Sequence, residues 1–239
     1  MKQVHIPPQA KGGIGKSLVA SLVAQYLLSQ ELPVEVVDCD PSNATLFGYK
    51  ALHAERLDLM DGTTLNEGKF DALIMRIINE DTNFVVDVGA SGFIQFNNYL
   101  IENHVVDMIA EHGKQVIIHT VIAGGSSLMD TLSGFADLVE QMPEQVRIVV
   151  WLNEHFGKIE MEGKTFEEMN VYLKNKDRVH GIGRLARQTP ATYGADMERM
   201  LTEKLTFAEI NLYEKFHMMS RSRLFRVKQD IYKQMEAVV

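Results

Sequence analysis

The chain predicts an α/β fold, a doubly wound and mostly parallel sheet with a helical C-terminal end. Three observations carry that expectation. Short apolar runs alternate with longer helical stretches, the pattern of βαβ units. Several runs are continuous and β-branched rather than alternating, as expected of strands covered on both faces. A glycine-rich segment lies between the first such run and the first helix, where a parallel sheet places a ligand-binding turn.

Taken in order, strands are expected over residues 4–6, 34–38, 84–88, 116–121, 146–153 and 178–182. Pro7 and Pro8 should end the first strand early, because proline donates nothing to a ladder. Helices are expected over residues 17–29, 96–111, 127–141 and 166–174, with at least two more between 188 and 235. The first reads as amphipathic through Leu18, Leu22, Val23, Tyr26 and Leu27. No repeat or low-complexity linker interrupts the chain. One domain over residues 1–239 is therefore expected, with 205–239 as its C-terminal helical segment.

Composition narrows the function. An apolar fraction of 46% supports a real core. Cys39 is the single cysteine, which excludes an internal disulfide framework and any multi-cysteine iron–sulfur site in one chain. Eight histidines show no metal spacing, and His112 and His119 read as packed or capping residues. No signal peptide and no run near the roughly 20 apolar residues of a membrane span is found, so a soluble, cytoplasmic protein is expected. The net charge of −8 argues against a uniformly basic nucleic-acid binder. Residues 213–239 nevertheless hold six Lys/Arg against three acids, a local +3 that leaves −11 for the rest.

The stretch Ala10–Ser17, AKGGIGKS, fits the phosphate-loop pattern G-x-x-x-x-G-K-[ST], with alanine at the first glycine position. Glycines let backbone N–H groups point inward at phosphate oxygens, and the loop ends at a helix N-terminus. The cradle comprises Gly12, Gly13, Ile14, Gly15, Lys16, Ser17 and Leu18. Lys16 is expected to reach the β/γ-phosphates of ATP, and the Ser17 hydroxyl to ligate Mg²⁺. Lys11 is one cation more than such a loop needs.

Two further strand ends carry acids. VVDCDP places Asp38 and Asp40 just past an apolar run. FVVDVGASG ends a run in Asp87, the aspartate expected to complete the Mg²⁺ shell, with Gly89 where a backbone amide can approach the γ-phosphate. VVWLNEHFG ends in Asn153, whose amide offers a donor and an acceptor to an adenine edge or simply opens a loop. The glycine-rich turn at 121–127 reads as a plain turn, a loop lining the site or a second anion site.

KGGIGKS, with lysine directly before the glycines, resembles the deviant Walker A loop of ParA/MinD-type ATPases. The resemblance tightens toward the plasmid TraL/StbC conjugal transfer and stability family, through DCDPSNATLFGYKALHAERLDLMDG, VIIHTVIAGG, VVWLNEHFG and NKDRVHGIG. It runs from the loop to about Phe207 and is looser beyond. It implies a P-loop fold and an ATP-dependent homodimer in which Lys11 reaches the partner's nucleotide. A cation there offsets charge on the transferred phosphoryl group. The resemblance also implies that Asp40 orients water and Asp38 holds Mg²⁺ through its waters, while Asn153 contacts adenine. The chain departs from the pattern at Ala10, Pro7, Pro8 and Val88.

The last helix carries one apolar stripe, Leu224, Val227, Ile231, Met235 and Val238. Arg221, Arg223, Arg226, Lys228 and Lys233 form a candidate surface for non-specific DNA, with packing against the sheet and a MinD-like membrane contact as alternatives. The expected function is an ATP-dependent dimerising switch, a slow Mg²⁺-ATPase acting in plasmid transfer or maintenance with a plasmid-encoded partner. An ATP-binding interaction module with little hydrolysis is the main alternative. An ATP-dependent carboxylate ligase, which shares the loop, is a further one.

Overall fold

Proline sets the first boundary: β1 (Lys2–Ile6) stops where Pro7 begins. The computed structural model describes residues 1–8, 11–40, 43–62, 64–90 and 92–239, leaving aside the side chains of residues 60, 64, 65 and 67. After β1 come α1 (Lys16–Ser29), β2 (Val34–Asp38), β3 (Glu55–Arg56) and a small hairpin of β4 (Met60–Asp61) and β5 (Thr64–Leu65). Then follow α2 (Glu67–Asn79), β6 (Asn83–Asp87), α3 (Phe93–Glu102), α4 (Val105–Glu111), β7 (Lys114–Ala123) and α5 (Leu128–Gln141). The chain continues through β8 (Arg147–Asn153), a hairpin of β9 (Glu160–Met161) and β10 (Lys164–Thr165), α6 (Asn170–Asn175) and β11 (Val179–Leu185). It closes with α7 (Ala195–Thr202) and α8 (Met218–Val238).

The central sheet has the order β11-β8-β7-β1-β6-β2-β3, and each of its described pairings is parallel. Both faces are covered, so alternate residues of one strand enter different cores. On β6, Phe84 and Val86 join the core under α2–α5, while Val85 joins the core under α1, α7 and α8.

Three expectations are corrected, and one helix, α2, is added. The helix foreseen over 96–111 is two helices, α3 and α4, parted at His104, whose left-handed φ of 50° breaks the ladder. The stretch 166–174 is a 3₁₀ turn, boxed by Thr165 and Glu168, followed by the short α6. Helix α2 went unforeseen, although its N-cap Asn66 accepts the Lys69 N–H and Phe70, Leu73, Ile74 and Ile77 are buried at helical spacing. Helix α1 is not a one-sided amphipathic helix. Ser21, Ala24 and Gln25 are buried as well, because the C-terminal segment covers its outer side. Gln25 Oε1 accepts the Phe207 N–H at 2.8 Å, and Tyr26 meets Tyr232 edge-on at 5.5 Å.

A polar chain crosses the core on that side. Trp151 Nε1–H donates to His119 Nδ1 at 3.0 Å. Indole is a donor only, so a neutral His119 carries its proton on Nε2, 3.0 Å from His5 Nδ1. His5 Nε2 then donates to Gln3 Oε1 at 3.2 Å. Burial lowers the His5 pKa to about 3, and burial together with His5 lowers that of His119 well below its usual value. Both rings are held neutral.

Candidate nucleotide-binding site

Strands β1, β2, β6 and β8 end at one edge of the sheet, and each end delivers part of the site. The loop after β1 turns through left-handed Gly13 (φ 75°) and Gly15 (φ 107°). A Cβ on Gly15 would also lie 2.8 Å from Asn153 Nδ2, so glycine is required there twice over. No side chain caps α1 at Gly15, which leaves the first N–H groups of a buried 14-residue helix facing the loop mouth. Ala10 lies outside the described residues.

The two lysines of the loop part company. Lys16 is 7% exposed, and its Nζ donates to the Lys11 carbonyl at 2.7 Å, across the loop. Burial lowers its pKa, while Asp87 and Asp40 oppose the drop. The Lys11 side chain turns outward and meets Asp130 on α5 at 2.7 Å, with both side chains about half exposed. A pair so exposed holds weakly and is easily exchanged.

Asp38 and Asp87 are neighbours in register across β2 and β6. Asp38 Oδ2 accepts the Phe47 N–H at 2.8 Å and Oδ1 the Asp40 N–H at 3.1 Å. Burial still raises its pKa, although these donors oppose the rise. Its hydrogen bonds make Asp38 the anchor of the Asp40 and Phe47 backbone, a duty that its sequence position did not reveal. Asp40 Oδ1 accepts the Asn43 N–H at 3.0 Å, and its carboxylate fills the space that a Cβ on Gly89 would occupy.

Asp87 is 1% exposed, and burial raises its pKa to about 7, with the Ser17 hydroxyl bond and Lys16 pulling the other way. Its Oδ2 finds no hydrogen-bond partner among the described residues. An orphaned, buried carboxylate oxygen beside a serine hydroxyl fits a hard divalent cation. Among the described residues no group of three or more His, Cys, Asp or Glu could hold a metal alone. A magnesium ion here would therefore draw further ligands from phosphate and water.

Asn153 is 4% exposed. Its Nδ2 donates to the Ile14 carbonyl at 2.8 Å and its Oδ1 accepts the His155 N–H at 3.1 Å. The amide staples the phosphate loop to the end of β8. The turn at 121–127 is likewise explained by packing. A Cβ on Gly124 or Gly125 would strike the backbone of Phe156 and Gly157.

Two adjoining cavities flank the loop. One, of about 520 Å³, joins Lys16 and Ser17 to Asp40, Thr45, Tyr49 and Lys204. The other, of about 490 Å³, is walled by Leu18, Leu22, Leu185, Met197 and Ile231. A charged cavity beside an apolar one suits a ligand with a polyanionic end and a flat apolar end. Thr45, Tyr49 and Lys204 escaped sequence reading because no local pattern links them to the loop.

The tail divides. The stripe Leu224, Val227, Ile231, Met235 and Val238 is buried against the body. Arg223 is spent on Asp196 of α7 at 2.5 Å, Arg221 donates to the Tyr213 carbonyl at 3.1 Å, and Lys228 lies 5.0 Å over the Tyr232 ring. Arg226 and Lys233 are the exposed cations of the five. Among the described residues no helix is long and apolar enough to cross a membrane.

Known proteins agree with this geometry. Residues 9–197 match the family model CobQ/CobB/MinD/ParA nucleotide binding domain. Two proteins named Protein TraL, both from Escherichia coli, are 42% and 41% identical to the chain, and each alignment covers 99% of it and 98% of the relative. In fold it is similar to a ParA family ATPase from Chlorobium tepidum TLS, at 16% identity over 95% and 97% of the chains, with a TM-score of 0.54. It is similar also to the MinD cell division protein of Aquifex aeolicus, at 14% identity over 100% and 98%, with a TM-score of 0.53. With the loop, the paired acids and the parallel sheet assembled at one edge, the chain belongs to the CobQ/CobB/MinD/ParA nucleotide-binding family and resembles TraL throughout its length.

Proposed function

We propose that this chain is an ATP-dependent, dimerising molecular switch, a slow Mg²⁺-ATPase of the cytoplasm that serves plasmid transfer or maintenance. The observation that carries the reading is the divergence of the two loop lysines. Lys16 turns into its own site, while Lys11 turns away from it onto a weak surface pair. A cation freed so easily is suited to a second copy's nucleotide, where it would offset charge on the transferred phosphoryl group.

In the mechanism, the backbone N–H groups of Gly12–Leu18 hold the phosphate chain and Lys16 neutralises it. Ser17 and Asp87 would hold magnesium, which when bound supplies charge neutralisation between phosphates. Asp38 anchors the backbone at Asp40 and Phe47, and Asp40 accepts the proton side of the attacking water. The closed dimer then presents Arg226 and Lys233 to non-specific DNA or meets a plasmid-encoded partner protein. A second reading, an ATP-binding module with little turnover, draws on Asp40, whose Oδ1 is already engaged by the Asn43 N–H.

Light scattering with and without Mg·ATP tests the dimer. Lys11→Ala should bind ATP as a monomer and fail to dimerise, and an unchanged dimer would return Lys11 to the status of a surface residue. Steady-state turnover with and without duplex DNA separates the two readings.

A further inference from the structure

We propose that Lys204 is a second, cis-acting cation of the nucleotide site that binds the phosphate chain of a nucleoside triphosphate. The inference rests on the nucleotide reading and adds a residue from the far end of the chain. Lys204 shares the charged cavity with Lys16, Ser17 and Leu18, yet lies 188 positions beyond Lys16. It follows α7 in a left-handed conformation, φ 53°, with its N–H bonded to the Leu201 carbonyl at 3.2 Å. Such a helix-end turn favours glycine or asparagine, so a lysine there is unexplained by the turn.

The surroundings are shaped to that side chain. A Cβ on Gly48 would lie 3.2 Å from Lys204 Cγ, so glycine leaves room for the stem. The Nζ lies 5.5 Å from the Tyr49 ring centroid, a cation–π distance. Tyr49 is 2% exposed and shares one apolar core with Leu22 and Val23 of α1, the helix that the phosphate loop opens. The platform under Lys204 is thus fixed to the element that receives phosphate. Among the described residues Lys204 makes no ion pair, while neighbouring Glu203 pairs with Lys215 at 2.9 Å. The aromatic face orients the ammonium without neutralising it, which leaves its charge for an anion in the cavity. Asp40 offers one negative charge there, and a triphosphate offers several at once. Nucleotide occupancy would then tie the end of α7, and through Glu203–Lys215 the approach to α8, to the phosphate site.

The test is titration of Mg·mant-ATP, a fluorescent ATP analogue, into wild type, Lys204→Met and Lys204→Arg, with thermal midpoints measured without nucleotide. Lys204→Met should weaken binding about tenfold, the scale of one lost charge-assisted contact. Its nucleotide-free midpoint should stay near that of wild type, and Lys204→Arg should restore most of the affinity. If Lys204→Met destabilises the fold, the arginine variant carries the comparison, and arginine binding no better than methionine overturns the role. Lys204→Met binding as tightly as wild type, or more tightly, overturns it too. A wild type that does not bind mant-ATP defeats the nucleotide reading itself.

Discussion

The edge of the sheet and the C-terminal helix are both rich in charge, and they use it differently. At the sheet edge Lys16, Asp38 and Asp87 are nearly buried, close together and imperfectly satisfied, down to an orphan oxygen on Asp87. Along α8 the basic residues are mostly consumed by the fold: Arg223 by Asp196, Arg221 by a carbonyl, Lys228 by an aromatic face. A cluster of charge in a sequence thus says little about function until its partners are known. Buried and unsatisfied groups wait for a ligand, whereas exposed or internally paired ones mostly do not.

The comparison breaks most sharply at Lys16. Lys16→Ala should weaken Mg·ATP binding by about 100-fold or more, since it removes the one buried cation at the helix mouth. Isothermal titration giving a constant within threefold of wild type would overturn the loop assignment. In α8 the counterpart is Arg223→Ala, expected to cost about 2 kcal/mol of stability by stranding the buried carboxylate of Asp196. Burial pushes that carboxyl up, yet Arg223 and Ser220 hold it below its ordinary value. Arg226→Ala should change stability by less than about 0.5 kcal/mol. Urea melts of the two variants decide which arginines belong to the fold, and equal losses would erase the distinction.

Asn153→Ala sharpens the comparison inside the site. It leaves the Ile14 carbonyl and the His155 N–H without their partners, so about 1–2 kcal/mol of stability should go, with weaker ATP binding. Full affinity after that loss would detach the loop's shape from this staple.

The core histidines supply a pH test. The folded pKa of His5 is about 3 against 6.5 for the free side chain, so on acidification the unfolded chain takes up protons first. Stability present above pH 6.5 should therefore fall as the pH drops toward 3, by roughly 1.4 kcal/mol per pH unit for each neutral-held histidine. His5→Gln should flatten that slope between pH 6 and 4, and an identical slope would show that other groups set it. The smallest effect expected is on DNA: Arg226→Ala should lower the salt-dependence slope of ATP-dependent binding by about 1. Lys228→Ala, whose ammonium sits on Tyr232, should alter that slope less.

Legibility followed distance along the chain. The phosphate loop, the stop at Pro7, and the acids at positions 38, 40 and 87 are contiguous with the strands that present them, so local pattern suffices. The buried face of α2 is equally legible, with Phe70, Leu73, Ile74 and Ile77 in helical spacing. The two-residue β3 carries no periodic signal at all. Lys204, Tyr49 and Gly48 meet only because α7 ends beside residues 48–49, and nothing nearby in sequence marks them.

By itself the sequence determined the strand ends, the glycine turns and the chemistry gathered at them, because steric limits on φ and ψ and the lack of an N–H in proline act within a few residues. The tertiary structure alone decided that α1 is buried on two sides, that Asn153 serves the loop, and which cations of α8 remain exposed. The first two outcomes depend on partners more than 100 positions away, Phe207 for Gln25 and Ile14 for Asn153, and no local preference encodes them.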